Sequence, residues 1–181
     1  MTQLIAFCGL AGAGKSFAAA HLSYAHGFQR ERFAEPLKAM LRAFGLDVEE
    51  VDGARKAEPS PNLAGATPRH AMQTLGEEWG RALIAEDIWV EHWARRADAR
   101  LARGERVVVD DLRYRNEAHA IWRRGGKLIR IEREGLPGKH ERLASVHKSE
   151  SLDRSLYDHI VINDGSAAFV DALDRAVKAL G

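Results

Sequence analysis

The chain has one cysteine, Cys8, among its 181 residues, so it can form no intrachain disulfide and no zinc site of the two- or four-cysteine kind. A reducing compartment is expected. A long apolar run is also missing. The most apolar opening stretch, Leu4 to Gly14, has no basic flank, runs straight into Lys15 and is far below the roughly 20 residues that span a bilayer. We therefore expect no signal peptide, no membrane anchor and a cytoplasmic location. Charge of one sign is lacking as well: Lys+Arg 27 against Asp+Glu 26 leaves +1. No broad positive field invites nucleic acid, and any anion site must be local. The eight histidines lack the i, i+4 spacing that sets two imidazoles on one helical face, so they read as surface or packing residues. Repeats, low-complexity tracts and linkers are absent, which predicts a single domain over 1–181.

What is present is an alternation of short apolar runs and helical stripes. Gln3 to Cys8, Arg106 to Asp110, Lys127 to Ile131 and Ile160 to Ile162 read as strands, with a weaker one at Phe28 to Phe33. Helices are predicted over Ser16 to Tyr24, Pro36 to Phe44, from Thr67-Pro68 through Trp79, from Asp87 to Gly104, over Asn116 to Arg124 and over Phe169 to Leu180. The order implies an α/β fold of three layers around a mostly parallel sheet. Gly45 to Thr67 has no convincing period and reads as a long excursion, while Glu132 to Ser155 is polar and basic.

Gly9-Leu10-Ala11-Gly12-Ala13-Gly14-Lys15-Ser16 matches the phosphate-loop pattern of glycine, four free positions and Gly-Lys-Ser. It follows the first predicted strand and opens the first helix, where backbone N–H groups and a helix N-terminus converge on phosphate oxygens. Lys15 can bridge the β- and γ-phosphates, and the Ser16 hydroxyl can ligate Mg²⁺. A dinucleotide-binding glycine fingerprint fits worse, because Phe17 stands where a third glycine or alanine belongs. No Asn-Lys-x-Asp guanine reader is present. The strand Val107-Val108-Val109 ends in Asp110-Asp111, without the glutamate by which a mechanical ATPase polarises water.

Four further segments carry a resemblance. They are Phe33-Ala34-Glu35-Pro36-Leu37-Lys38; Thr67-Pro68-Arg69 through Gln73-Thr74-Leu75-Gly76 to Trp79-Gly80-Arg81; Asp111-Leu112-Arg113-Tyr114-Arg115-Asn116-Glu117; and His147-Lys148-Ser149-Glu150 with Asp158 and Asn163. With the phosphate loop they resemble the deoxynucleoside monophosphate kinases found mainly in bacteriophages, across nearly the whole chain. Two departures are Arg115, where proline is common in that family, and Lys148, where an apolar residue is common.

The resemblance implies a P-loop fold like that of nucleoside monophosphate kinases, ATP and Mg²⁺ as cosubstrate and cofactor, and conversion of dNMP to dNDP. It implies the cytoplasm of a host bacterium for a phage-borne chain, an acceptor-binding helical excursion over 45–86 and a lid over 132–150. A homodimer is left open. Gly9, Gly12, Ala13, Gly14, Lys15, Ser16, Phe17 and Asn163 are expected to bind the nucleotide. Lys15, Asp111, Arg113 and Arg133 are expected to act in transfer, and Ser16 with Asp111 to hold the metal, Asp110 being the competing acid. Phe33, Lys38, Arg69, Gln73, Trp79, Arg81, Arg113 and Glu150 are expected around the acceptor.

The chemistry suits this cation-rich set. An acceptor phosphate oxygen is already ionised at neutral pH, so transfer needs positioning and charge neutralisation more than a base. Arginine forks suit phosphate better than lysine point charges. Trp79, Trp89, Trp93 and Phe33 could stack on a base, although core packing is expected for at least two of them. The rival readings are a kinase of another small phosphorylated acceptor, such as dephospho-coenzyme A or phosphomevalonate, and a non-enzymatic ATP-dependent switch.

Overall fold

The computed structural model describes residues 2–133 and 156–180. In these, five strands form one parallel sheet: β1 (Leu4–Cys8), β2 (Phe28–Arg30), β3 (Arg106–Val109), β4 (Lys127–Arg133) and β5 (His159–Asn163), in the order β2-β3-β1-β4-β5. Strand β1 is central, which explains its unbroken apolar run: both faces are covered and all five residues are buried. Ile5 pairs with Val108 on one side and Lys127 on the other.

Helices α1 (Lys15–His26) and α7 (Ala168–Ala179) cover one face. There Ile5, Phe7, Val108 and Ile129 pack against Ala18, Leu22, Phe169 and Leu173. On the opposite face α6 (Arg115–Trp122) brings Ile121 to Leu4 across Gly126, where an added Cβ would lie 2.6 Å from Ile121 and 2.7 Å from Leu4. The expected three-layer α/β architecture is therefore observed. Strand β2 is shorter than predicted. Its ladder closes with Glu31 donating its backbone N–H to the Val108 carbonyl, and the Glu31 side chain then turns to Arg96 and Arg100 of α5 (Ile88–Ala102).

The chain divides into two compact units, one comprising Met1–Arg32 with Ala94–Gly181 and the other Phe33–Trp93. The second unit is helical and extends beyond both ends of the predicted excursion at 45–86. It contains α2 (Glu35–Ala43), α3 (Val48–Val51), two 3₁₀ turns at Ala54–Ala57 and Pro61–Leu63, and α4 (Pro68–Thr74). The stretch without a readable period is thus ordered by a small core of Leu41, Leu46 and Val51 with Leu63, Ala71, Met72 and Leu75. Asp47 and Glu50 form a reciprocal capping box on α3.

The predicted helix through Trp79 is ordinary α only as far as Thr74, and Leu75–Ile84 continues it as a wide π-helix. The cause is tertiary. The Trp89 indole lies against Gly80, where a Cβ would stand 2.4 Å from the ring, and its Nε1–H donates to the Gly76 carbonyl at 2.9 Å. The Gly76 carbonyl can accept from the indole as well as from the helix ladder, so it is the bulk of the ring against Gly80 that favours the wider coil. Gly80→Ala should therefore destabilise the protein by roughly 1–3 kcal/mol, the usual range for overpacking. Urea unfolding checks it, and Gly76→Ala in the same helix, where a Cβ would meet Leu37 at an ordinary 3.7 Å, controls for adding a methyl group without the clash.

Candidate active site

The loop between β1 and α1 is shaped by three glycines with positive φ: Gly9 at 135°, Gly12 at 84° and Gly14 at 106°. Two of them are also sterically required. A Cβ on Gly9 would approach the Ile131 carbonyl oxygen to 2.3 Å, and one on Gly14 would meet Asn163 Nδ2 at 2.4 Å. Asn163, buried at the end of β5, donates to the Ala13 carbonyl at 2.8 Å and accepts from Gly165 N–H. It thus holds the loop from below. Lys15 curls back over the loop, donating to the carbonyls of Gly9 and Leu10 at 2.7 Å each. Arg133, at the end of β4, reaches the Gly12 carbonyl at 3.3 Å. Phe17 is exposed on the first turn of α1 and stacks on Phe169 with ring centroids 5.9 Å apart.

The acid that meets the loop is Asp110. Ser16 Oγ donates to its Oδ2 at 2.7 Å, and the Arg30 guanidinium forks onto both oxygens, Nε to Oδ1 at 2.9 Å and Nη2 to Oδ2. Asp111, expected to hold the metal with Ser16, is half-buried and is not the acid that Ser16 meets. The reason is strand parity. Val108 faces α1, Asp110 is two residues on, and successive side chains alternate faces. Burial pushes the Asp110 carboxyl up, yet the Arg30 guanidinium and the Ser16 hydroxyl outweigh it and hold it below the usual carboxylate range. An ionised carboxylate beside a serine hydroxyl at a phosphate loop is the donor set a divalent ion takes with its waters. Arg30 escaped the sequence reading; the parallel pairing of Arg30 with Val108 is the signal that would have found it.

Cys8 ends β1 beside the loop, but burial pushes its thiol up to about 12, so it stays protonated and inert as a nucleophile. Arg130, on β4, lies over the Tyr157 ring at 5.3 Å and donates to Glu132 at 2.8 Å. Arg113 is exposed just before α6, where its backbone N–H donates to Glu117.

The remaining predicted acceptor residues that the structure describes lie in the second unit. Arg69 and Gln73 sit four apart on α4, on one face, and both are exposed. Trp79 is partly exposed and tilted against Trp89 at 6.1 Å; Arg81 donates to the Glu86 carbonyl at 3.0 Å. Two expected contacts are otherwise engaged. Phe33 is 2% exposed and packed on Trp93 at 4.7 Å, so it serves the core and not an open stacking face. Lys38 pairs with Asp52 at 2.6 Å. Glu150 and most of the expected lid lie outside the described residues.

No family model matches the chain. A protein of Acanthamoeba polyphaga mimivirus named "Putative deoxynucleotide monophosphate kinase" is 32% identical to it over 177 residues, covering 89% of this chain and 88% of that one. The chain belongs to the deoxynucleotide monophosphate kinase family. Among solved structures, the dephospho-CoA kinase of Campylobacter jejuni superposes with a TM-score of 0.53 at 13% identity, covering 99% of this chain and 98% of that one. Shikimate kinase from Acinetobacter baumannii gives 0.50 at 12%, covering 99% and 93%. These two likenesses show the fold that this kinase family shares with other P-loop kinases. No helix among the described residues is long and apolar enough to cross a membrane.

Asp110→Asn keeps the shape of the side chain but leaves Arg30 facing an amide. The expected loss of stability at pH 7 is about 1–3 kcal/mol, kept modest because Arg30 is one-third exposed to screening water. The native Asp110 carboxyl is held low, so its contribution is present above the unfolded value of about 3.9 and disappears as pH falls through the lower folded value. Urea midpoints for both proteins across this range should converge only in acid.

Proposed function

We propose that the protein transfers the γ-phosphoryl group of ATP to a deoxynucleoside monophosphate, giving dNDP and ADP. The observation that carries the acceptor assignment is the 32% identity, over 89% of the chain, to a relative bearing that kinase name. The phosphate-loop geometry supports the donor assignment. Gly9, Gly12, Ala13 and Gly14 present backbone to the phosphates, Lys15 leaves its loop carbonyls to neutralise them, and Arg133 adds charge from β4. Phe17 offers an exposed ring, while Asn163 keeps the loop in place. Ser16 and Asp110, in preference to Asp111, would hold Mg²⁺, which would supply charge neutralisation on the migrating group. The acceptor oxygen arrives ionised, so no side chain need remove a proton, and the protonated Cys8 offers no covalent route.

Arg69, Gln73, Trp79 and Arg81 are the acceptor residues of this reading, with Arg113 as a second candidate for the acceptor phosphate. Arg69 and Arg113 have no ion pair among the described residues, so their guanidinium groups are available to an anion. Phe33 and Lys38 support the acceptor unit through packing and the Asp52 pair.

The deciding experiment is ATP consumption with each of the four common dNMPs, their ribo counterparts and dephospho-coenzyme A. ADP release that depends on a dNMP is expected; release with dephospho-coenzyme A alone, or without any acceptor, refutes the reading. Lys15→Ala should lower kcat on the order of 10²-fold or more with the fold intact by circular dichroism. Arg69→Ala should raise the dNMP KM roughly tenfold, matching the loss of about 1.5–3 kcal/mol of charge-assisted bonding, with little change in the ATP KM. A lesion confined to ATP binding would move Arg69 out of the acceptor site.

A further inference from the structure

Away from the phosphate loop, two histidines and one acid converge where the first and last helices of the chain pack together. His21 and His26 project from α1 and Asp174 from α7, 153 and 148 residues further along the sequence. A single carboxylate oxygen, Asp174 Oδ1, contacts His21 Nε2 at 2.6 Å and His26 Nε2 at 2.7 Å. The two rings meet edge to face at 5.7 Å, and the three candidate ligand atoms all lie within 4.8 Å of one another. The side chains are 16%, 28% and 42% exposed for His21, His26 and Asp174, so the group has a protein floor and an open side to water.

We propose that His21, His26 and Asp174 bind one divalent ion of the zinc, nickel or cobalt class, at a site separate from the phosphate-loop magnesium. Two imidazole nitrogens with one carboxylate oxygen form the donor set these ions favour, whereas magnesium prefers oxygen alone. Metal–ligand distances of about 2.0–2.2 Å in a tetrahedron place donor atoms roughly 3.4 Å apart. The observed nitrogen–oxygen contacts need to open by less than an ångström, within reach of side-chain rotation on two helices that stay where they are. Each imidazole would coordinate through Nε2, the atom that faces Asp174, with Nδ1 carrying the ring proton. Water fills the fourth position on the exposed side of Asp174.

The ion would tie α1 to α7 near one end of their contact, while Phe17 and Phe169 hold the other. Because α1 begins at Lys15 and Ser16, the tie fixes the helix that carries the phosphate loop. The i, i+5 spacing of the histidines hid the group from a search for i, i+4 pairs. Their convergence depends on an acid supplied from the far end of the chain.

The test uses untagged, metal-stripped, nucleotide-free protein and Zn²⁺ alone, titrated calorimetrically, with His21→Gln, His26→Gln and Asp174→Asn alongside. One Zn²⁺ per chain at micromolar concentration or tighter is expected, weakened at least about tenfold by each substitution. Zn²⁺ should raise the thermal midpoint of the native protein and not that of the variants. Co²⁺ should show visible absorption that H26Q loses. Turnover with Mg²⁺ and ATP should persist in H26Q, so the failure of this site and the failure of the kinase assignment are read separately. Absence of Zn²⁺ binding at micromolar concentrations, or binding that survives all three substitutions, overturns the proposal. So does a midpoint that responds to pH through the histidine range equally with and without Zn²⁺, since the trio would then hold only a proton.

Discussion

A buried carboxylate is the constraint around which the phosphate loop is organised. Asp110 is 4% exposed, and an ionised group so placed forfeits several kcal/mol of hydration unless neighbours replace the water. Arg30 and Ser16 do so from two different elements, the end of β2 and the first turn of α1. One acid therefore fixes the edge strand, the strand beside it and the helix that opens at the loop. Asn163 closes the loop from the other side, at the end of β5. The ends of β2, β3 and β5 thus converge on a stretch of backbone that has no side-chain bulk of its own at Gly9, Gly12 and Gly14.

The phosphate loop was legible in the sequence because its constraint is local. Positive φ and close approach to the Ile131 carbonyl can be met only by glycine, so the geometry is written as residue identity. The strands were legible for a related reason, since a parallel sheet covered on both faces demands continuous apolar runs. That same continuity hid which of two adjacent acids meets Ser16. In Val107-Val108-Val109 no polar residue marks a face, so parity cannot be read until the pairing of Ile5 with Val108 and the packing of both against α1 are known. Arg30 was invisible for the same reason: its role follows from sheet order, and sheet order is not a local property.

In the second unit the limit was different. Leu75, Gly76, Trp79 and Gly80 have spacings of three and four, which suit an α-helix, and nothing within that segment selects a wider coil. The selection comes from Trp89, whose ring needs the space above Gly80. The excursion before it shows no period because each of its helical turns is only three or four residues long. Its Asp47 and Glu50 capping pair was nonetheless present three residues apart.

The basic residues are sorted by what they already hold. With 27 lysines and arginines in a nearly neutral chain, composition alone favours any one of them equally as a phosphate ligand. Ion pairing removes that equality. Arg96 and Arg100 are committed to Glu31, Arg124 to Asp98, Arg30 to Asp110 and Lys38 to Asp52. A partner lost to an incoming phosphate would strip these acids of part or all of their compensation, and for half-covered pairs that cost offsets much of the gain. Arg69 and Arg113 have no ion pair among the described residues, and Arg133 makes a long hydrogen bond to the Gly12 carbonyl. Lys15 donates to two carbonyls of the loop it serves, and those two contacts are to neutral groups. Among the described residues, Arg69 and Arg113 are therefore cations whose redirection towards an anion strands no acid.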